Sequence, residues 1–247
     1  MVDTYDVLKS GVPNAIKAFK NAGLEKCGIR LDSGDIAYLT KKARKMLNEA
    51  GLENCKIIVS NSLDEKIIRD IIAQGAQVDG FGVGERLITA KSEPVFGGVY
   101  KLVAVEKDGE VVPKIKISEN VGKITTPHFK KVYRLYEKDN HKAIADLLCV
   151  YDEVLDENSE IELFDPVQTW KRKIVKGAEI RELLVPIFKD GKCVYKKPSI
   201  EEIKAYCKAE IDTLWDEVKR FENPHCYYVD LSQKLWDTKH NLLRQGK

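Results

Sequence analysis

The feature that most limits the fold is a rhythm in the first ~95 residues. Short apolar runs alternate with longer stretches whose apolar residues recur every three or four positions. "VDTYD", "CGIRLD", "KIIVS" and "VDGFGVG" read as strands, and residues 12–22, 35–50 and 63–74 read as helices. Val12, Ala15, Ile16 and Phe19 share one helix face, and Ile36, Leu39, Ala43 and Leu47 share another. Gly51 and Gly75 stop the second and third helices, and Asp64 and Glu65 lie in the third helix's first turn. Strands at roughly 25–30 residue spacing with helices between them predict a parallel sheet with right-handed crossovers. A β/α barrel and an open doubly wound sheet both fit. In either, ligand-binding groups collect at the carboxyl ends of the strands. The polar clusters fall there: Asp3 with Asp6, Asp32 with Asp35, Ser60 with Asn61, and Gly82 with Gly84.

Beyond residue 95 the pattern changes. "GGVYKLVAVEKDGEVVPKIKISE" contains two β-rich runs around a Lys-Asp-Gly-Glu turn, which predicts a hairpin. "FKKVYRLYEKDNHKAIADLLCVYDE" continues with short strands around a polar turn. Ser199, with Glu202 three residues later, forms the signature of a capping box at the start of a long helix. Residues 231–243 form a final amphipathic stretch. The sequence therefore divides into residues 1–95 and residues 96–247, without internal repeats or low-complexity segments.

The 247 residues are 43% hydrophobic, enough to bury a sizeable core. Forty-one basic and 39 acidic residues give a net charge of +2, so the chain has no overall footprint for nucleic acid or an anionic membrane. No apolar run approaches the ~18–20 residues of a bilayer span, and "MVDTYDVLKSG" lacks a signal peptide's basic and apolar segments. The six cysteines are scattered and form no C-x-x-C pair, which predicts reduced thiols in a cytoplasmic protein rather than a zinc site.

The stretch "GIRLDSGD" is the most specific candidate. Arg30 and Asp32 are two residues apart on one strand and point to the same side. Together they can hold an anionic group and the adjacent hydroxyls of a ligand. They can equally form a self-satisfied ion pair, with Asp35 capping the next helix. Gly82, Val83 and Gly84 in "FGVGERL" form either an anion cradle of backbone N–H groups or a plain turn, and no Walker-type G-K-[ST] follows. Ser60 and Asn61 in "SNSLDE" either line a cleft or open a helix. Asp3, Thr4 and Asp6 mark a polar strand end. The four histidines, His128, His141, His225 and His240, lie outside these strand ends and read as surface residues.

Taken in order and spacing, "VDTYDVLKSGVPNAI", "GIRLDSGD", "IIVSNSLDE", "VDGFGVGERLIT", "GGVYKLVAVE", "PKIKISEN", "KKVYRLYEKDNHKAIADLL" and "LLVPIFKDGK" resemble the C-terminal portion of nicotinate phosphoribosyltransferases. The resemblance implies an α/β fold: part of the irregular β/α barrel of type II phosphoribosyltransferases, with an added β-rich and helical region. It implies transfer of phosphoribose from phosphoribosyl pyrophosphate to nicotinate in NAD biosynthesis. ATP hydrolysis assists, and Mg2+ accompanies the pyrophosphate. Arg30 would contact the pyridine carboxylate or the phosphoribosyl group. Asp32 would bind ribose hydroxyls, with Ser33 and Gly34 shaping the loop. Ser60 and Asn61 would line the cleft, Gly82, Val83 and Gly84 would face the 5′-phosphate, and Asp3, Thr4 and Asp6 would form the floor. Glu85 departs from the family, which often carries a hydroxyl residue there. The activating histidine of the family matches none of the four here. The chain alone is therefore expected not to couple ATP hydrolysis, and to oligomerise or pair with further segments. A phosphoribosyltransferase for nicotinamide or quinolinate, or a non-catalytic ribose-phosphate-binding remnant, would carry similar groups.

Overall fold

The computed structural model describes residues 1–95 and 97–245; residue 96, where the second region of the sequence begins, and residues 246–247 lie outside them. The chain divides into two compact units, Met1–Gly98 and Val99–Lys247.

The first unit is α/β. Strands β1 (Gly28–Leu31), β2 (Lys56–Val59) and β3 (Gly80–Phe81) form a parallel sheet in that order, with Arg30 beside Ile58 and Ile58 beside Gly80. The crossovers carry α2 (Ile36–Glu49) and α3 (Glu65–Ala73), while α1 (Val12–Asn21) precedes β1 and the short α4 (Glu85–Ile88) follows β3. Ile29, Leu31, Ile57 and Val59 are buried and pack with Val12, Ala43, Leu47 and Ile71 from the helices, so the apolar periodicity becomes one core. Asp35 and Asp64 cap α2 and α3 by accepting backbone N–H groups.

The "VDTYD" segment is not a strand, which corrects the four-strand expectation. The Val2 N–H donates to the Arg30 carbonyl at 3.1 Å, so the segment lies along β1. Asp6 then bends the chain by accepting the Leu8 and Lys9 N–H groups, opening a π-helical turn, Val7–Gly11, that leads into α1. Gly11 is required there: a Cβ on it would lie 1.8 Å from the Val2 carbonyl oxygen.

The second unit is β-rich. Strands β4 (Ala104–Lys107) and β5 (Glu110–Pro113) form the expected hairpin, with Asp108 and Gly109 at positive φ in its turn. Strands β6 (Lys130–Tyr136) and β7 (Ala143–Val150) are the long antiparallel pair at the centre of a sheet ordered β10-β6-β7-β13, completed by β10 (Glu179–Glu182) and the parallel β13 (Val229–Leu231). Strands β8 (Glu160–Phe164) and β9 (Arg172–Lys176) form a second pair, and β11 (Phe188–Lys189) and β12 (Lys192–Cys193) a minimal one. Helix α5 (Ile200–Thr213) begins with the capping box at Ser199 and Glu202, and α6 (Gln233–Gln245) follows β13. Leu135, Ala145, Leu147, Ile161, Leu163 and Val175 make the core.

Candidate functional site

The carboxyl ends of β1, β2 and β3 open into a cleft of about 340 Å3. Its walls are Arg30 and Asp32 from β1 and its exit, Ser60 to Leu63 after β2, and Gly82, Gly84, Glu85 and Arg86 after β3. Parallel strands bring these three segments together from positions about 25–30 residues apart, and the sheet's polar ends face one space.

Three of the groups form a chain of hydrogen bonds. The Arg30 Nε donates to the Ser60 hydroxyl at 2.8 Å, the Ser60 hydroxyl donates to the Asp32 carboxylate, and Arg30 Nη2 lies 3.2 Å from the same carboxylate oxygen. The Ser60 hydroxyl and then the guanidinium hold Asp32 below its usual carboxylate range, so it is anionic at neutral pH. Ser60 is 6% exposed, but the Arg30 and Asp32 side chains are 52% and 37% exposed. An ion pair this open to water is worth little by itself and exchanges readily for ligand groups.

Asp3 stands behind the cleft. Its Oδ2 accepts the Asp32 N–H at 2.8 Å and the Ser33 hydroxyl at 2.9 Å, and these bonds outweigh burial to hold its pKa low. Asp3 is therefore a brace for the "DSG" loop rather than a wall of the cleft. Ser33 is held by that brace. Gly34 has φ +81°, and a Cβ there would meet the Leu39 side chain at 2.9 Å. Thr4 is exposed and does not line the cleft, and Asp6 is engaged as a helix cap. The floor expected from those two residues is not built, because the capping turn carries the chain away.

Among the glycines, the Gly82 N–H is committed to the Val59 carbonyl at 2.7 Å. What Gly82 contributes is close backbone approach. Val83 packs into the core, and Gly84 is the N-cap of α4 without a side-chain cap. Asn61 and Ser62 occupy positive φ, 95° and 34°, which turns the chain sharply over the cleft.

Arg86 was missed in the sequence. It lines the cleft, pairs through Nη1 with the Asp64 carboxylate, and buries an Nε that has no partner among the described residues. Asp64 thus both caps α3 and anchors this cation; the Ile67 N–H first, and the guanidinium after it, keep its pKa low. The signal lay in "FGVGERL": a cation two residues beyond a glycine turn, overshadowed by Glu85. The histidines lie in the second unit and none lines this cleft; His141 and His225 are exposed, as expected of surface residues, while His141 also stacks on Tyr136 and the half-buried His240 on Trp236.

The order of these segments has counterparts in known proteins. Residues 129–239 match the model of the nicotinate phosphoribosyltransferase C-terminal domain. Over its whole length the chain is 46% identical to nicotinate phosphoribosyltransferase of Bacillus subtilis, covering 51% of that protein. It is 35% identical to the Dictyostelium discoideum enzyme over 98% of this chain and 43% of the relative. The chain is related to the nicotinate phosphoribosyltransferases. The crystal structure of human nicotinic acid phosphoribosyltransferase superposes with a TM-score of 0.72 at 27% identity, covering 97% of this chain and 45% of the human one. The chain spans about half the length of the nicotinate phosphoribosyltransferases it matches.

Proposed function

We propose that the cleft is the ribose-phosphate part of a nicotinate phosphoribosyltransferase site, on strands that belong to an irregular β/α barrel. The observation that carries this reading is the Arg30–Ser60–Asp32 chain at the ends of adjacent parallel strands, opposite the glycine turn and Arg86. Asp32 accepts hydrogen bonds from ribose hydroxyls. Because it is anionic, it also offsets positive charge that develops at C1 as the bond to pyrophosphate breaks and the pyridine nitrogen attacks. Arg30 exchanges its exposed pair with Asp32 for the pyridine carboxylate or the neighbouring phosphoribosyl group. The 5′-phosphate lies over Gly82 and Gly84, where the lack of side chains permits close approach and Arg86 supplies charge. Ser60 and Asn61 complete the wall.

Magnesium enters with the phosphates. It is bound largely by phosphate oxygens and water with one or two carboxylates, so a dedicated cluster is not needed; Asp32 and Glu85 are the acids that the cleft presents to it. ATP is a further reactant of this reading, acting at the cytoplasmic start of NAD synthesis. Tyr5, Leu87 and Ile88 are 94%, 69% and 83% exposed in the first unit, which favours association with a second copy or further polypeptide.

Calorimetric titration of the chain with magnesium phosphoribosyl pyrophosphate tests the reading. Binding is expected in the native chain and is expected to fall at least ~10-fold in Arg30→Ala and in Asp32→Ala. Unchanged affinity in both variants would overturn it. Competition by nicotinate, nicotinamide and quinolinate in the same cell assigns the pyridine.

A further inference from the structure

The second unit contains a cavity of about 630 Å3, well within the range of small-molecule sites. The proposed transferase chemistry uses none of it. Trp215, Tyr227 and Tyr228 line it together with Ile144 and Leu163. The aromatic walls are fixed by their own contacts. The Tyr227 hydroxyl donates to Asp146 at 2.9 Å, and Arg134 lies 5.7 Å from the Tyr227 ring centre. Lys142 lies over Trp215 at 6.0 Å, and Tyr228 packs edge-on against His225.

Asp230 on β13 lines the same cavity and is only 5% exposed. Its carboxylate has no hydrogen-bond donor or cation among the described residues. The neighbouring charge is another carboxylate, Asp165; burial first, and that like charge second, push the Asp230 pKa up to about 6. Asp165 itself is satisfied by the Val167 and Gln168 N–H groups. A buried carboxylate without a donor is costly, and a ligand N–H relieves it. The lining also carries three successive cations, Lys171, Arg172 and Lys173, beside the carboxylates Glu137, Asp165 and Glu217. Arg172 is occupied by Glu162 at 2.8 Å and by the Phe164 ring, whereas Lys171 and Lys173 are exposed.

One cavity therefore offers aromatic faces, a buried acceptor and an exposed cationic pair. We propose that it binds a purine nucleotide bearing an exocyclic amino group: the ring against the Trp215 and tyrosine faces, the amino group donating to Asp230, and the phosphate at Lys171 and Lys173. Stacking suits any planar base, so the amino group is what Asp230 selects.

Tryptophan fluorescence of the full chain, titrated with adenosine 5′-monophosphate and corrected for absorption, tests this. Saturable quenching is expected, and Trp215→Phe should remove it although Trp170 and Trp236 remain. Inosine 5′-monophosphate presents a carbonyl where adenine has the amino group, and should bind roughly 10-fold or more weakly. Asp230→Asn, whose amide can donate, should narrow or reverse that preference. Lys171→Ala with Lys173→Ala should weaken the monophosphate but not adenosine. Asp32→Ala, which disables the other cleft, should leave the quenching in place. Equal affinity for the two monophosphates, an Asp230→Asn variant with the native preference, or no saturable quenching at millimolar nucleotide would each overturn the proposal. Asp230→Asn removes an uncompensated buried charge, so loss of binding in it is not to be confused with unfolding; a thermal melt of the same sample separates the two.

Discussion

Asp32 in the first unit and Asp230 in the second are the same side chain in opposite circumstances. Asp32 stands partly in water and accepts from Ser60 and Arg30, and its pKa is depressed. Asp230 is buried, lacks donors and faces Asp165, and its pKa rises to about 6. The contrast shows burial and a like charge raising one carboxylate, and a hydroxyl and a guanidinium at the surface lowering the other. It also separates two kinds of site. The cleft at the strand ends has Arg30, Ser60 and Asp32 already paired with one another, and a ligand exchanges those pairs. The cavity behind β13 has an acceptor with no pair at all.

The largest expected effect breaks the frame of the cleft without touching the second unit. Gly11→Ala drives a Cβ into the Val2 carbonyl at 1.8 Å, so the N-terminal segment must leave β1. A loss of about 3 kcal/mol or more in urea unfolding is expected, together with release of the Asp3 brace. A variant that unfolds like the native chain would show that the segment is not seated against β1.

Asp230→Asn should act in the opposite direction and depend on pH. The folded pKa of Asp230 is above its unfolded value. Its ionisation therefore costs stability as pH rises from about 4 to about 6, the cost is complete above that range, and it is absent below the unfolded pKa. The variant should gain roughly 1–3 kcal/mol at pH 8 and nothing near pH 3. A gain independent of pH would remove the charge from the explanation.

Ser60→Ala deletes the hydroxyl between Arg30 and Asp32. A stability loss of about 1 kcal/mol is expected, with the Asp32 titration, followed by carboxyl NMR, moving up toward its ordinary value. A stationary titration would mean that the guanidinium alone holds Asp32 anionic. Ser199→Ala, outside the lining of either site, should cost about 0.5 kcal/mol through loss of the capping box. It is the smallest effect, and ligand binding at the cleft should not respond to it.

Much of the first unit was legible because its helices and strands obey distinct periods and Asp35 stands at the offset of a helix cap; in the second unit the capping box at Ser199 was legible for the same reason. The "VDTYD" segment was misread because acids beside an apolar residue look like a strand end, whereas Asp6 spends its carboxylate on a helical turn. Arg30 and Asp32 were legible as neighbours, since a two-residue step puts both on one face. Ser60 between them was not, because its partner lies 30 residues away and only the β1–β2 register brings it there. Arg86 with Asp64, and Asp230 with the aromatic residues around Trp215, are likewise products of packing across strands rather than of any local motif.

The most direct measurement is amide chemical-shift mapping of the chain with magnesium phosphoribosyl pyrophosphate. The account predicts perturbations concentrated at residues 30–34, 60–62 and 82–86, abolished by Asp32→Ala. Perturbations confined to residues 215–230, or none at the strand ends at saturating ligand, would contradict it.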